Sequence, residues 1–396
     1  MANIMPPKYV RQTLISLQSH GHQAYLVGGC VRDMLLGVRA QDWDLCTSAL
    51  PEQVMEIFPG SRPTGLRHGT VTVKVNSRSL EVTTFRSDGG YTDHRHPDMV
   101  SFVGDLTTDL SRRDFTMNAI ALPPAGLAID PFGGAEDIEN RLIRCVGDPE
   151  RRFEEDALRM LRALRFSARL GFDIEGATLA AIKKCAPLAA SLAAERVRDE
   201  TEKILLTNSP QTAAELIGLG LLDRYVPRRP ADAALFLRLS ELPKKALERW
   251  CGFCAALDSC GCIDSVEALL LSLRLDSRTV RCCRDASQIL RGAPPASDAE
   301  WKRCLRRCGV DAVSCAAVCG DALFGWSAAK ALKGVLRSGE CFSMKHLAVT
   351  GDDLLALGLR GRELGEMLNF LLDYVMEYPR NNRRELLLSL ARGTEE

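Results

Sequence analysis

The sequence predicts an α+β fold, with one mostly antiparallel sheet and its helices over residues 1–145, followed by an all-helical remainder. Short alternating runs of β-branched residues, the pattern of half-buried strands, occur in this first part. From about residue 150 the strand patterns stop, and Ala and Leu, which favour helix, become abundant. The chain of 396 residues is long enough for about two or three domains.

We expect helices and strands to alternate in the first part. The pattern predicts helices at 8–20, 32–36, 51–58 and 114–121, strands at 23–27, 42–46, 69–75 and 80–86, and a loop at 87–100. In the second part we expect one strong helix over 153–170. Further helices separated by proline-containing loops should then continue to the C-terminus.

The composition is that of a globular protein without a global attraction for nucleic acid. Hydrophobic residues make up 46% and charged residues 26%, and the formal net charge is zero, so any basic surface must be local. Residues 1–10 lack the apolar core of a signal peptide, and no apolar run approaches the roughly 20 residues of a membrane span. We therefore expect a cytoplasmic protein with no membrane partner, whose cysteines are reduced thiols.

Two glycines and two aspartates form the first candidate site. Gly28 and Gly29 follow an apolar strand, and backbone N–H groups at a helix start favour phosphate. Asp42 and Asp44 would face the same side of a strand, where their carboxylates repel unless a cation such as Mg²⁺ lies between them. Each feature alone is more often a tight turn or a pair of surface acids. Together, they indicate phosphoryl chemistry on a nucleotide.

Glu81 is the candidate third acid of this site. It lies on the predicted return strand, on the same face as Thr83. A third acid would complete a two-metal site, in which one ion lowers the pKa of an attacking hydroxyl and the other holds a triphosphate. The alternative is an exposed acid on an edge strand.

A second candidate site is the polar stretch Arg112–Ala119, just before a predicted helix. Arg113 offers a fixed fork of donors to phosphate or hydroxyl groups. Asp114 is able to accept a hydrogen bond from a ribose hydroxyl, and it is equally suited to cap the helix.

The third candidate site lies in the stretch Glu155–Arg162. Asp156, Arg159 and, less closely, Arg162 lie near one face of the predicted helix. The plain interpretation is a salt bridge on a solvated helix. The functional interpretation is that a carboxylate acceptor beside guanidinium donors complements the Watson–Crick edge of cytosine or adenine. Uracil and guanine would leave these groups unpaired and opposed, which weakens binding.

Two other clusters are interpreted as structural. Residues 195–202 form a charged helical stretch that we expect to brace the preceding helix, the alternative being an exposed salt-bridged face. Four cysteines, Cys251, Cys254, Cys260 and Cys262, have a cramped zinc-like spacing. Burial as small apolar side chains is the better interpretation of them.

In this order, the motifs resemble the class II tRNA nucleotidyltransferases, the CCA-adding enzymes, and the related bacterial poly(A) polymerases. The matching segments span residues 25 to about 205, roughly half of the chain. Thr350–Leu354 and Leu357–Leu359 are also similar to the tail of the bacterial members. The matching segments are Leu26–Gly37, Asp42–Asp44, Arg112–Ala119, Asp130–Gly134 with Asp137, Glu155–Arg162, and Glu195-Arg196 with Glu202.

The resemblance implies four regions. A nucleotidyltransferase head would occupy 1–145, and a helical neck that recognises the base would occupy 146–205. A helical body at 206–340 and a helical tail at 341–396 would bind tRNA.

The resemblance also implies roles for individual residues. Asp42 and Asp44 would hold Mg²⁺, with Glu81 as the third acid. Asp156 and Arg159 would select CTP or ATP, with Glu155 orienting Arg159. The other implied nucleotide contacts are Arg113 and Asp114 at the ribose, Arg162 at the nucleotide or its phosphates, and Gly28, Gly29, Arg32 and Asn118.

The implied reaction is addition of CCA to the 3′ end of tRNA without a nucleic-acid template. The tRNA 3′-hydroxyl would attack the α-phosphorus of CTP or ATP and expel pyrophosphate. Residues 64–73 resemble the CCA-adding enzymes, and the loop at 87–97 is what a switch from CTP to ATP needs. The alternatives are an enzyme that adds only the terminal adenosine, a poly(A) polymerase, and a catalytically silent RNA-binding protein.

Overall fold

The computed structural model describes residues 6–40, 42–75, 78–90, 99–230 and 233–393. The chain divides into two compact units. The first comprises Met1–Ile204 and Glu215–Arg224, and the second comprises Leu205–Ala214 and Tyr225–Glu396. The α+β class expected from the sequence is confirmed, since the strands belong to the first unit and the described elements of the second are helical.

The strands of the first unit form one six-stranded sheet and two small pairs. The described strands are β1 (Ala24–Val27), β2 (Asp44–Thr47), β3 (Arg62–Gly65), β4 (Thr70–Val75), β5 (Arg78–Thr84), β6 (Arg86–Gly89), β7 (Met99–Phe102), β8 (Ala121–Leu122), β9 (Leu142–Ile143) and β10 (Asp173–Ile174). The large sheet has the order β3-β4-β5-β2-β1-β8. Its β2–β5 pair is parallel and its other pairs are antiparallel, as the sequence predicts for most of the sheet.

Helices flank this sheet and continue beyond it. The helices as far as residue 218 are α1 (Lys8–Ser19), α2 (Gly29–Leu35), α3 (Pro51–Ile57), α4 (Leu106–Ser111), α5 (Gly134–Glu139), α6 (Pro149–Glu155), α7 (Leu158–Leu170), α8 (Gly176–Cys185), α9 (Ala194–Leu205) and α10 (Thr212–Gly218). Short 3₁₀ turns lie at Leu66–His68, Thr116–Asn118 and Ala186–Ser191.

Several expectations about local structure are wrong in part. The predicted helix at 114–121 is a 3₁₀ turn followed by β8, because Asn118 and Asp114 bond each other and β8 pairs with β1. The predicted loop at 87–100 contains most of the hairpin β6–β7, while residues 91–98 lie outside the described residues. Strand β3 was not predicted, and β10 shows that strands do not end at residue 150.

The predicted single helix over 153–170 is two helices. Asp156 has extended backbone angles, φ −145° and ψ 102°, so α6 ends there and α7 begins two residues later. The start of α6 follows the sequence signals, since Pro149 occupies the first helical position and the Asp148 side chain accepts from the Glu150 backbone N–H.

A buried cluster holds the sheet against α4 and fixes the strands that carry the first candidate site. Its members include Val27, Cys46, Phe85, Leu110 and Ala119. Val27 directly precedes Gly28, and Cys46 follows Asp44 by two residues on β2. Burial of such side chains is worth about 1.5–3 kcal/mol each, so the backbone on both sides of the site is firmly placed.

The second unit is built from packed helices. They are α11 (Ala234–Leu237), α12 (Ala246–Ser259), α13 (Val266–Ser272), α14 (Ser277–Leu290), α15 (Asp298–Phe324), α16 (Ala328–Ser338), α17 (Gly351–Leu355), α18 (Gly361–Glu377) and α19 (Arg384–Ala391). Gly309 interrupts α15 with φ 80°, a value in the left-handed region that favours glycine. Within the described residues, no helix combines the length and the apolarity needed to span a bilayer.

Most cysteines of the second unit are buried thiols. Cys251, Cys254 and Cys262 are buried, Cys260 is partly exposed, and all are free. The Cys251 Sγ lies 3.4 Å from the Cys283 Sγ on the neighbouring helix. In the described part of the chain, no three His, Cys, Asp or Glu side chains gather closely enough to hold a metal ion. The preferred interpretation of these cysteines is therefore consistent with the structure.

Candidate active site

The turn from β1 into α2 forms one wall of the candidate site. Gly28 has φ 76°, which strains any other residue type. A Cβ at this position would lie 3.2 Å from Arg113 Nη1 and 3.5 Å from Asp44 Oδ2. Glycine is thus required both by the backbone angle and by the close approach of an arginine and a carboxylate.

The acidic residues meet where β2 and β5 run side by side. Asp44 is the register partner of Glu81, so the parallel pair brings these two acids together. Asp42 is exposed and lies before β2, which begins at Asp44. The premise that both aspartates share one strand face is therefore wrong, although Asp42 still acts electrostatically on Asp44.

The Asp44 carboxylate is electrostatically strained. It reaches solvent, but the protein packed around it removes part of its hydration, and this desolvation raises the pKa of Asp44. The Arg113 guanidinium opposes the increase, and the charges of Glu81 and Asp42 add to it. A divalent cation would relieve this repulsion, and the oxygen donors of Asp42 and Asp44 suit Mg²⁺, so their chemistry fits the ion. The three acids do not gather closely enough among the described residues to form a three-ligand site, so Glu81 lies beside Asp44 without completing a metal cluster.

Arg113 is incompletely satisfied by the protein. Its Nη2 donates to Asp109 across 3.4 Å, and its Nε is buried with no hydrogen-bond partner among the described residues. A buried donor without an acceptor costs about 1–3 kcal/mol. An arginine with an unsatisfied donor is a candidate for binding a ligand acceptor, and the Arg113 guanidinium lies beside Gly28 and Asp44.

A hydrogen-bonded chain runs from α2 to α7 through Asp114. The Arg32 guanidinium is 2% exposed and donates to Asp33 and to Asn118 Oδ1, the latter at 2.8 Å. Asn118 donates to Asp114 Oδ1 at 3.1 Å, and Arg162 donates to Asp114 Oδ2 at 2.9 and 2.6 Å. Arg32 is therefore enclosed by protein, whereas Arg162 is partly exposed.

The hydrogen bonds and the charge around Asp114 keep its carboxylate ionised. Burial disfavours the charged form, but the Arg162 guanidinium and the Asn118 hydrogen bond outweigh it and hold the pKa of Asp114 well below its ordinary value. The same pairing raises the pKa of Arg162. Asp114 also accepts from the Phe115 backbone N–H, and it caps no α-helix in the structure.

Asp156 lies between α6 and α7, not on a helix face. The prediction that it shares a helical face with Arg159 and Arg162 is wrong, because the helix is interrupted at this residue. Arg196 of α9 instead holds Asp156 through two bonds, of 3.1 Å to Oδ1 and 2.9 Å to Oδ2. Oδ1 also accepts from the Leu158 backbone N–H, so a lone pair remains on Oδ2.

Arg159 is fixed on one side and leaves donors on the other. Its Nη1 donates to the Arg152 carbonyl and to Glu155 Oε2 at 2.8 Å, and its Nη2 donates to the Arg112 carbonyl at 2.9 Å. A guanidinium has five N–H groups, so Nε–H and one Nη2–H have no partner among the described residues. Glu155 therefore contacts Arg159 in the way the resemblance implies.

Asp114, Asp156, Arg159 and Arg162 line one cavity of about 280 Å³. Its charge is strongly positive, with five arginines against two carboxylates, and such a lining suits an anionic ligand. A larger cavity of about 460 Å³ lies in the second unit and holds none of the predicted site residues. The smaller cavity is lined by Arg112, Arg113, Asp114, Asp156, Leu158, Arg159, Arg162 and Arg196.

Arg112 and Arg196 are functional candidates that the sequence did not single out. Arg196 was part of a stretch interpreted as bracing, and that stretch does brace α7, since Glu200 pairs with Arg165 at 2.5 Å. The ion pair between Arg196 and Asp156 joins residues that are 40 positions apart, and the spacing of residues along one helix cannot reveal such a contact. Arg112 contributes through its backbone carbonyl, to which no side-chain pattern points.

Comparison with known proteins defines the class of protein. Residues 24–144 match the family described as Poly A polymerase head domain, and residues 171–230 match the one described as Probable RNA and SrmB-binding site of polymerase A. The first match covers the sheet, and the second begins just after α7.

Full-length relatives narrow the class to one family. The chain is 41% identical over 349 residues to the CCA-adding enzyme of Geobacillus sp. (strain WCH70), covering 86% of this chain and 85% of the relative. It is 36% identical over 385 residues to that of Enterococcus faecalis, covering 95% and 93%. The crystal structure of the Bacillus stearothermophilus CCA-adding enzyme in complex with CTP superposes with a TM-score of 0.84 at 34% identity, covering 98% of both chains. The chain therefore belongs to the CCA-adding enzymes, a family of tRNA nucleotidyltransferases.

Proposed function

We propose that this chain adds CCA to the 3′ end of tRNA from CTP and ATP, and that its own side chains act as the template. The observation that carries the proposal is that Asp156 and Arg159 line the same cavity. Asp156 keeps an acceptor lone pair on Oδ2, and Arg159 keeps Nε–H and one Nη2–H as donors.

This acceptor–donor pair explains the choice of base. Cytosine offers an amino donor beside ring acceptors, and adenine offers an amino donor beside N1. Both complement Asp156 and Arg159. Uracil and guanine present a carbonyl to the carboxylate and an N–H to the guanidinium, which leaves charged groups unpaired at a cost of about 1–3 kcal/mol or more.

The other residues of the candidate site hold the sugar and the phosphates. Arg113, Asp114 and Arg162 line the cavity, whereas Gly28, Gly29 and Arg32 lie outside its lining. Asp114 is the proposed acceptor of a ribose hydroxyl, and Arg162 contacts the nucleotide or its phosphates. The lone pairs of Asp114 are taken by the Phe115 N–H, by Asn118 and by two N–H groups of Arg162, so the hydroxyl would replace one of the Arg162 bonds.

Arg113 meets an acceptor of the nucleotide through its buried Nε. The Gly28 and Gly29 N–H groups face the triphosphate. Arg32 acts through Asn118, because its guanidinium is enclosed.

Asp42 and Asp44 are the residues that would hold Mg²⁺, with Glu81 as the third acid beside them. When bound, the ion neutralises the phosphates and lowers the pKa of a hydroxyl at its site. The attacking hydroxyl is that of the tRNA 3′ end, which forms a bond to the α-phosphorus while pyrophosphate leaves. Arg113, which lies beside Asp44, would stabilise the negative charge on the oxygens of the reacting phosphates.

We further propose that residues 1–145 act as the catalytic head and 146–205 as the neck, while residues 206–340 and 341–396 bind tRNA. A cavity lined by Arg303, Arg306 and Arg307 of α15 supports the last assignment. Glu377 pairs with Arg303 and Asp373 with Arg306, but Arg307 has no carboxylate partner in the described part of the chain. Phosphate groups of RNA are the natural ligands of such a surface. A cytoplasmic site of action stays a prediction.

The decisive experiment uses three tRNA substrates that end at the discriminator base, at C and at CC. Each is incubated with CTP alone, with ATP alone and with both. We expect C, C and then A, with synthesis stopping after the third addition. Addition of A to the CC-ending tRNA with no addition of C to the two shorter substrates would support an adenosine-only enzyme, and unlimited A addition would support a poly(A) polymerase. No incorporation at all would support a silent RNA-binding protein.

A further inference from the structure

Phe166 of α7 lies at the meeting point of three arginines. The side chain is 4% exposed. The guanidinium carbons of Arg32, Arg162 and Arg165 lie 5.2, 5.5 and 4.1 Å from the centre of its ring. One aromatic ring thus contacts three cations that belong to two different helices, α2 and α7.

Each of these arginines is also bonded to a polar partner from a different part of the first unit. Arg32 reaches Asn118, and Arg165 reaches Glu200 of α9. Arg162 reaches Asp114, and Asn118 donates to the same carboxylate. The ring therefore lies where the hydrogen-bonded chain through Asp114 and the bracing contact of α9 come together.

The face of a phenyl ring carries negative charge density and attracts a guanidinium, most strongly where water is excluded. Three like charges around one point repel each other, and the ring partly compensates this repulsion. Burial lowers the pKa of Arg165, and the charge of Arg162 adds to that effect, which indicates how closely these cations crowd. Each guanidinium is bonded to a carboxylate partner, and the ring gives it a second contact, with the guanidinium carbons 4.1 to 5.5 Å from the ring centre.

We propose that Phe166 is a positioning residue for nucleotide binding, because its ring holds the Arg162 guanidinium in the plane from which it pairs with Asp114. The inference rests on the proposed function, in which Asp114 and Arg162 contact the nucleotide. Phe166 itself touches no substrate. Its removal should loosen Arg162 and Arg32 together, and through them Asp114.

The test compares Phe166→Leu with Phe172→Leu. Phe172 is a matched control, since it is 3% exposed and lies 5.4 Å from the Arg141 guanidinium, whose other contacts are backbone carbonyls. We expect Phe166→Leu to raise the KM for both CTP and ATP about tenfold, equal to about 1.4 kcal/mol, with a smaller change in kcat. Phe172→Leu should lower the melting temperature similarly and leave KM unchanged. Equal KM values in the two variants would overturn the inference.

A second measurement removes the problem of altered packing. Fluorinated phenylalanines at position 166 keep the ring nearly the same size, and each added fluorine weakens the charge density on its face. We expect the KM for CTP to rise stepwise along the series, while the same series at position 172 gives a constant KM. A constant KM at position 166 would overturn the inference.

Arg162→Ala separates this inference from the proposed function. If Arg162→Ala raises the nucleotide KM but the Phe166 variants do not, only the role of Phe166 fails. If Arg162→Ala leaves the KM unchanged, the assignment of the nucleotide site itself fails.

Discussion

The contact between Arg196 and Asp156 is the most sensitive point of the candidate base-selecting pair. Asp156 lies in a two-residue interruption between α6 and α7, where no helix fixes its side chain. Arg196 of α9 donates one hydrogen bond to each oxygen of the Asp156 carboxylate. Replacing Arg196 by Met keeps the apolar stem and removes both bonds, so only the Leu158 backbone N–H still holds the carboxylate, which then rotates more easily away from the base.

The structure sets the size of the expected effect. The Arg196 and Asp156 side chains are 22% and 18% exposed, so water replaces the lost bonds only in part. A hydrogen bond to a charged group is worth about 1.5–3 kcal/mol. Because 1.4 kcal/mol corresponds to a factor of ten, we expect kcat/KM for CTP and ATP to fall by about 10- to 150-fold. The preference for CTP over UTP should shrink by a similar factor.

Arg198→Met is the matched control for this experiment. Arg198 lies on the same helix and pairs with Asp199, whose side chain is 52% exposed, so its ion pair is worth about 1 kcal/mol or less. Both variants are assayed for incorporation of single nucleotides into tRNA that ends at the discriminator base. If Arg196→Met retains the kcat/KM and the CTP preference of Arg198→Met, the proposal that Arg196 positions a base-reading carboxylate is refuted.

Three further outcomes are expected. Gly28→Ala should weaken nucleotide binding more than Gly37→Ala, because both glycines have φ above 70° but a new Cβ meets Arg113 only at position 28; equal binding by isothermal titration would contradict this. Asp114 has a folded-state pKa below its ordinary value of 3.8, so its contribution to stability is complete above that pH and is lost as the pH falls through the folded-state pKa. The melting temperature of the wild type should therefore fall below about pH 4 more steeply than that of Asp114→Asn. The same pH dependence of the melting temperature in both proteins would count against the ion pair. Asp42→Asn combined with Asp44→Asn should abolish both incorporation and any rise in melting temperature on adding Mg²⁺, whereas continued extension of tRNA would disprove the metal assignment.

The parts of the fold that follow local patterning could be predicted from the sequence. The alternation in 69–75 predicts β4, and the expected return strand at 80–86 corresponds to β5, which begins two residues earlier than expected. The apolar run before Gly28 gives β1. These elements depend on side-chain periodicity and turn residues, which a single sequence displays.

Tertiary contacts overrode local propensity elsewhere. The stretch 153–170 has good helix formers throughout, yet Asp156 leaves the helix, where it is held by Arg196. Residues 114–121 are also compatible with a helix, but the Asp114 carboxylate is bonded to Arg162, and β8 completes the sheet edge beside β1. In both places the local pattern fails at a candidate functional residue, as expected where a site imposes its own geometry.

The sequence identified the acids and arginines of the site, but not how they are held. The parallel pairing that sets Asp44 beside Glu81 joins strands 37 positions apart in register. The three cations around Phe166 likewise depend on the packing of α2 against α7. Such long-range contacts leave no periodic trace in one chain, so residue types could be predicted while their partners could not.

The central claim is that protein side chains choose the nucleotide, and a competition experiment tests it most directly. A tRNA ending at the discriminator base is offered CTP, ATP, UTP and GTP at equal concentrations, and the first added nucleotide is identified for the wild type, Asp156→Ala and Arg159→Ala. We expect almost exclusive C addition by the wild type. Both variants should give mixed or lost incorporation, with any Mg²⁺-dependent thermal shift intact. Unchanged selectivity in the two variants would contradict a protein template at Asp156 and Arg159.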